Sequence, residues 1–218
     1  MDDPLQAQAY AAADFSTTDQ AFTERILALL SLAPGGADQG RPRILDLGCG
    51  PGNISFRLAA ALPQASVLGL DGSGAMLALA EERRAAQPAQ WPSLHFHQAR
   101  LPLPAPLAQP YDVIVSNSLL HHLHDPGVLW RTVRELAAPG ALVVVRDLRR
   151  PPNPQALQEL VERHASTAPA VLRRDYAHSL AAAFRPEEVE AQLLAAGLPS
   201  LQVRPLEDRY LEVWGSLP

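Results

Sequence analysis

The sequence contains no lysine: all 18 basic residues are arginine. That absence removes Schiff-base chemistry, the phosphate-loop lysine and the Tyr/Lys pair of many short-chain reductases. Cysteine is nearly absent too, and the single Cys49 excludes an internal disulfide or a zinc cluster built on several cysteines. No run approaches the roughly 18 uninterrupted apolar residues of a membrane span. The opening Met1-Asp2-Asp3-Pro4 lacks the basic and apolar regions of a secretory signal, so the sequence predicts a cytoplasmic protein. Basic excess is missing as well. Against those 18 arginines stand 23 acids, for a net charge of −5, which offers nucleic acid no global field. Neither nucleic acid nor a membrane is expected as a partner, although a local arginine patch can still bind an anion.

What is present suits one globular domain over 1–218. The apolar share is 47% and the charged share 19%, and a chain this long buries roughly 70% of its unfolded surface. Proline is plentiful, at 21 residues, and gathers in segments such as Pro102-Pro104-Pro106 and Pro151-Pro152-Pro154.

Apolar runs and helical periodicity alternate along the chain. Arg43 to Leu47 reads as a buried strand ending at Gly48, and Ile54, Leu58, Ala61 and Leu62 follow at helical spacing. Val67 to Leu70 is a second strand ending at Asp71; Ser73 is placed to cap a helix carrying Met76, Leu77 and Ala80. Leu94 to Phe96, Tyr111 to Val115 and Ala141 to Val145 read as three more strands, with Leu129, Val133 and Leu136 marking a helix between the last two. This alternation predicts a doubly wound parallel sheet with helices on both faces. Pro186-Glu187-Glu188 then opens a helix that Gly197 closes. Only Glu207-Asp208-Arg209 separates the strands Leu201 to Leu206 and Tyr210 to Trp214, which forces an antiparallel pair. Two helical regions flank this core. Phe22, Ile26, Leu29 and Leu30 mark an N-terminal helical cap over 1–32. Leu157, Leu160, Val161 and His164, opened by Asn153-Pro154, belong to a helical insertion over 150–182 that would cover the sheet's carboxyl edge.

Gly48-Cys49-Gly50-Pro51-Gly52-Asn53 joins the first strand to its helix. Glycines allow positive φ and let a ligand press on bare backbone beside a helix N-terminus. A dinucleotide fingerprint would need glycine where Asn53 stands, so the loop suits a nucleoside without a pyrophosphate better than NAD or ATP. A plain tight turn is the alternative. Asp71 ends the second strand, where an acid can accept hydrogen bonds from a ribose diol; capping of the next helix is its alternative role. Asp46, inside the first strand, needs a partner if buried, either a ligand ammonium or the loop's own amides.

Four segments occur in order over residues 40–147: Ile44-Leu45-Asp46-Leu47-Gly48-Cys49-Gly50-Pro51-Gly52, Leu70-Asp71-Gly72-Ser73-Gly74-Ala75-Met76-Leu77, Tyr111 through Leu123, and Arg134 through Gly140. Together they resemble the motifs of class I S-adenosylmethionine-dependent methyltransferases. The resemblance implies a Rossmann-like, mostly parallel seven-stranded sheet with an antiparallel last strand. It implies S-adenosyl-L-methionine as cofactor, its methionine part and ribose backed by Gly48, Cys49 and Gly50, with Asp71 on the ribose and Gly72 and Met76 beside the adenine; Asp46 and Asn53 are expected at the same site. Gln98 and Ala99 stand where the family offers an acid and a small residue to the adenine; Gln98 departs from that pattern and forgoes a charge-assisted bond. Asn117 and Ser118 would lie under the methionine moiety, and Tyr10 would close over the sulfonium by cation–π attraction, with plain packing of the N-terminal helix as its alternative role.

Methyl transfer from a sulfonium demands alignment and exclusion of water more than a strong catalytic group. Where the acceptor must lose a proton, histidine is suited to take it, and His122, within His121-His122-Leu123-His124, is the expected base. No metal site is expected, because adjacent histidines diverge and no acidic pair completes a set. Arg173, Tyr176 and His178 in the insertion are the expected contacts to a small-molecule acceptor, with a solvated helix face as the alternative. Two other readings compete: a non-catalytic module that binds the same cofactor, and a nicotinamide-dependent oxidoreductase.

Overall fold

The computed structural model describes residues 4–32, 40–103 and 110–218. Pro104 and Pro106 of the first proline segment, and Met1, Asp2 and Asp3, lie outside the described residues. Two helices, α1 (Pro4–Ala12) and α2 (Ser16–Leu32), precede the sheet. There follow β1 (Arg43–Leu47), α3 (Asn53–Ala61), β2 (Ser66–Asp71), α4 (Gly74–Ala86), β3 (Leu94–Gln98), β4 (Tyr111–Asn117), α5 (Gly127–Leu136) and β5 (Ala137–Leu148). Then come α6 (Pro154–Ala165), α7 (Ala170–Ala182), α8 (Pro186–Ala195), β6 (Gln202–Leu206) and β7 (Tyr210–Ser216).

The strand order is β3-β2-β1-β4-β5-β7-β6. Only β7 runs against its neighbours, pairing antiparallel with both β5 and β6. The order reverses beside β1, and ligands in such sheets bind outside the carboxyl ends at that switch point. Register brings Leu47 beside Leu70 and Ser116, Asn117 beside Arg146, and Leu148 beside Tyr210. Leu47, Leu70, Asn117, Arg146 and Tyr210 therefore end on one edge.

Alternation along β1 divides the core. Leu45 and Leu47 pack with Trp130, Val133 and Leu193 of α5 and α8, whereas Ile44 packs with Phe22, Ile26 and Phe56 of α2 and α3. A third apolar cluster joins Leu160, Val161 and Leu180 of α6 and α7 to Leu148, with Tyr176 and Tyr210 against it. Short-range signals set the helix ends. Ser73 Oγ accepts from Met76 N at 3.3 Å, Asn153 Oδ1 from Ala156 N at 2.8 Å, and Gly197 closes α8 at φ 74°. Several strands exceed their apolar runs: β3 continues to Gln98, β4 to Asn117 and β7 to Ser216, and β5, paired on both sides, spans Ala137–Leu148. In register beside Arg146, the buried Glu212 of β7 accepts from Arg25 Nε of α2 and Arg204 Nε of β6, both at 2.7 Å.

Candidate functional site

The loop after β1 turns through three left-handed glycines, Gly48 (φ 73°), Gly50 (φ 54°) and Gly52 (φ 83°). Two are also sterically required. A Cβ on Gly48 would sit 2.9 Å from Leu119 Cβ, and one on Gly52 would sit 2.8 Å from Phe96 Cζ. Gly50 differs, for a Cβ there meets nothing within 4 Å. Gly48 N and Cys49 N both donate to Leu70 O, at 2.8 and 2.9 Å. The Asp71 carboxylate closes the turn, its Oδ2 accepting from Gly50 N at 2.8 Å and its Oδ1 from Ser73 N at 2.7 Å. Each oxygen keeps a second lone pair for a further donor.

Acids gather around this turn. Asp46 is buried and accepts from Ser55 Oγ at 2.6 Å; burial pushes its carboxyl up to about 7. Asp19 of α2 is buried also, 3.1 Å from Asn53 Nδ2 and 3.9 Å from Arg146, and burial raises its carboxyl against the pull of that guanidinium. Burial likewise lifts the Cys49 thiol well above its usual range, so it is an inert small residue at pH 7. The Tyr10 phenol is raised by burial first, then by the fields of Asp19, Tyr210 and Asp71. That places it over the same edge, its ring 4.9 Å from Phe15. Met76 is buried; Ala99 N donates to Asp71 O at 2.9 Å and Gln98 Nε2 to Gly72 O at 3.3 Å, which leaves the Gln98 amide oxygen as acceptor.

At the ends of β4 and β5, Arg146 organises the floor. It is buried, donates from Nε to Asn117 Oδ1 at 3.0 Å and from Nη1 to Thr18 O at 2.6 Å, and lies over the rings of Phe22 and Tyr210. Ser118 adopts φ 61° beside it, its N–H donating to Arg146 O at 2.9 Å. The histidines that follow divide. His121 is buried with Nδ1 2.6 Å from Asp147 Oδ1, and Asp147 also accepts from Leu120 N and Leu148 N, each at 2.7 Å. His122 is exposed by surface area, its ring 4.0 Å from that of His121. Desolvation by the chain packed around it and the adjacent His121 push its pKa down to about 4, so it is neutral at pH 7. On α7, Arg173 forms a surface pair with Glu162 and His178 is exposed, while Tyr176 turns inward onto the third apolar cluster. Among the described residues, no group of three or more His, Cys, Asp or Glu side chains could hold a metal.

A family model described as a methyltransferase domain matches residues 45–143, the stretch from β1 into β5 that carries the glycine loop, Asp71 and Asn117. Over 103 residues the chain is 41% identical to the trans-aconitate 2-methyltransferase of Methylobacterium nodulans. Over that stretch the chain is similar to class I S-adenosylmethionine-dependent methyltransferases. The aligned part is 47% of this chain and 37% of that relative; the Klebsiella pneumoniae enzyme of the same name is 43% identical over 46% and 37%. The chain thus matches little more than a third of the length of these curated relatives. In fold, it resembles a SAM-dependent methyltransferase from Aquifex aeolicus (TM-score 0.67, 16% identity, 99% of both chains). It also resembles a plantazolicin methyltransferase crystallised with SAH (TM-score 0.66, 15% identity, 98% of this chain and 94% of that one).

Against the expectations for a methyltransferase of this class, the structure gathers Gly48, Cys49, Gly50, Asp71, Gly72 and Gln98 at one turn, with Tyr10 over the same edge. Asn53 faces Asp19, and Asn117 faces Arg146. Arg173 and His178 lie away from that cluster, on the solvent side of α7. Sequence reasoning missed Asp19, Arg146 and Asp147. Its available signal was charge inside apolar runs, as in Val145-Arg146-Asp147-Leu148, since acids and arginines are seldom buried without partners. The open space at Gly50, next to a carboxylate with free lone pairs, fits an adenosine-type ligand whose hydroxyls donate to Asp71.

Proposed function

We propose that the protein transfers the methyl group of S-adenosyl-L-methionine to a small-molecule acceptor. The observation that carries this reading is the Asp71 carboxylate bonded to Gly50 N beside the one loop glycine with open space at its Cβ position. The relatives named for trans-aconitate methylation support an acceptor of small size. When bound, the cofactor supplies a methyl group already activated on sulfur. The chain then has three tasks. Asp71 holds the ribose, with Gly72, Met76, Gln98 and Ala99 bordering the adenine. Asp46, Gly48, Cys49, Gly50, Asn53, Asn117 and Ser118 border the methionine portion. Tyr10, carried by the N-terminal cap of α1 and α2, excludes water and offers a ring face to positive charge. The helical insertion of α6 and α7 covers the acceptor side, where Tyr176 faces in. His122 is neutral at pH 7, and a pKa lowered to about 4 makes it a weak base, better suited to lining the pocket than to removing a proton; His121, held by Asp147, orients its turn.

Isotope tracing provides the direct test. Pooled small metabolites incubated with the protein and methyl-labelled cofactor should yield at least one labelled product; none, from protein that binds the cofactor, would leave only a binding module. A second expectation concerns pH. Because the folded-state Asp46 carboxyl is raised to about 7, its contribution to stability is complete below the ordinary carboxylate pKa and is lost as pH rises through about 7. A cation bound nearby favours the ionised form. Cofactor affinity should therefore rise about threefold to tenfold from pH 6 to pH 8. Proton release should accompany binding near neutrality. Calorimetry in buffers of different ionisation enthalpy reads both, and Asp46→Asn should flatten the profile.

A further inference from the structure

Past the end of β4, His121 Nδ1 lies 2.6 Å from Asp147 Oδ1, and the two side chains are only 3% and 2% exposed. Leu148 N donates to the same Oδ1 and Leu120 N to Oδ2, each at 2.7 Å. An ionised carboxylate only accepts, so the proton of the shared bond rests on Nδ1 and a neutral imidazole keeps its lone pair on Nε2. Among the described residues nothing donates to Nε2, yet that nitrogen is not sealed from solvent. The Leu120 bond alone would hold the turn to Asp147. A largely buried acceptor without a donor calls for one from outside the chain.

The turn lies where such a donor would arrive. Leu119 packs on Gly48 of the cofactor loop, where a Cβ would come within 2.9 Å of it, and α7 of the insertion packs against residues 120–122. His121 thus stands between the loop assigned to the cofactor and the helices assigned to the acceptor side. His122, its ring 4.0 Å away and neutral at pH 7, does not oppose a positive charge forming on its neighbour.

We infer that His121, positioned by Asp147, is the base that takes the proton of the methyl acceptor, which makes hydroxyl compounds, phenols or alcohols, the acceptor class. The inference rests on the methyl-transfer reading and deepens it. The acceptor O–H gives its proton to Nε2, an oxygen lone pair forms the new O–C bond, and the electrons of the broken C–S bond stay on sulfur. Asp147 stabilises the imidazolium, which then passes the proton to water. A carboxylate acceptor arrives already ionised and leaves Nε2 without a donor, and an ammonium brings three donors to one lone pair.

The test uses the full chain with methyl-labelled S-adenosylmethionine and pooled small metabolites, and fragments the product to locate the label. The label should sit on a hydroxyl oxygen. With the acceptor so identified, His121→Gln should lower kcat about a hundredfold or more, while KM and S-adenosylhomocysteine affinity, read by calorimetry, stay within about threefold of wild type. Nitrogen-15 NMR of the wild type should show His121 protonated at Nδ1. Asp147→Asn should shift that signature and lower kcat about tenfold or more. Should either variant fail to fold, the label position and the wild-type spectrum still decide. A methyl group on a carboxylate oxygen, a His121→Gln kcat within threefold of wild type, or a wild-type His121 protonated at Nε2 alone would each overturn the inference and leave methyl transfer standing. No labelled product from protein that binds S-adenosylhomocysteine is a different result, and it removes the methyl-transfer reading together with the base.

Discussion

Asp71→Ala should lower S-adenosylmethionine affinity by about a hundredfold or more while the protein stays folded. Two charge-assisted hydrogen bonds to a vicinal diol contribute roughly 1.5–3 kcal/mol each, and every 1.4 kcal/mol is about tenfold in affinity. The carboxylate also accepts Gly50 N at 2.8 Å and Ser73 N at 2.7 Å, so its removal frees the turn that presents Gly50. A stability loss of about 1–2 kcal/mol should accompany the binding defect. Calorimetry for the ligand and thermal melting for the fold separate the two effects. Affinity within threefold of wild type would remove Asp71 from the cofactor site.

Gly50→Leu is expected to abolish cofactor binding with little harm to the fold. At φ 54° a non-glycine residue costs roughly 1–2 kcal/mol, yet its Cβ meets nothing within 4 Å. Gly48→Ala and Gly52→Ala should behave in the opposite way. Their Cβ atoms would press on Leu119 at 2.9 Å and Phe96 at 2.8 Å, in addition to φ strain, so they should lose about 2–5 kcal/mol of stability. Melting temperatures of the three variants, set against S-adenosylhomocysteine titrations, distinguish space reserved for a ligand from space reserved for the protein. A Gly50→Leu protein that binds normally would show that the opening serves no ligand.

The fold was legible because its signals are local. Each strand is an apolar run of a few residues, each cap lies within three residues of its helix, and the three-residue link before Tyr210 admits only an antiparallel partner. Asp71 and the glycines were legible for the same reason, since strand, turn and helix are consecutive. The remainder of the candidate site depends on distant pairs. Arg146 meets Thr18 O and Asn117, Asp19 meets Asn53, and His121 meets Asp147; no periodicity announces which charge will face which. The histidine turn makes the point at close range. His121 and His122 are indistinguishable in composition, and only the turn decides that the first is buried against a carboxylate and the second is exposed.

Glu212 gives the N-terminal helices a second duty. Its carboxylate is shut away from water between Arg25 on α2 and Arg204 on β6, and a sequestered anion deprived of one of its two cations is poorly tolerated. Trimming the protein past Arg25 would thus do more than uncover the glycine turn; it would loosen the antiparallel border of β7 and β6. Catalytic shielding and architectural integrity are consequently inherited together, and a shortened variant that loses turnover must be checked for β7 before the defect is ascribed to the site.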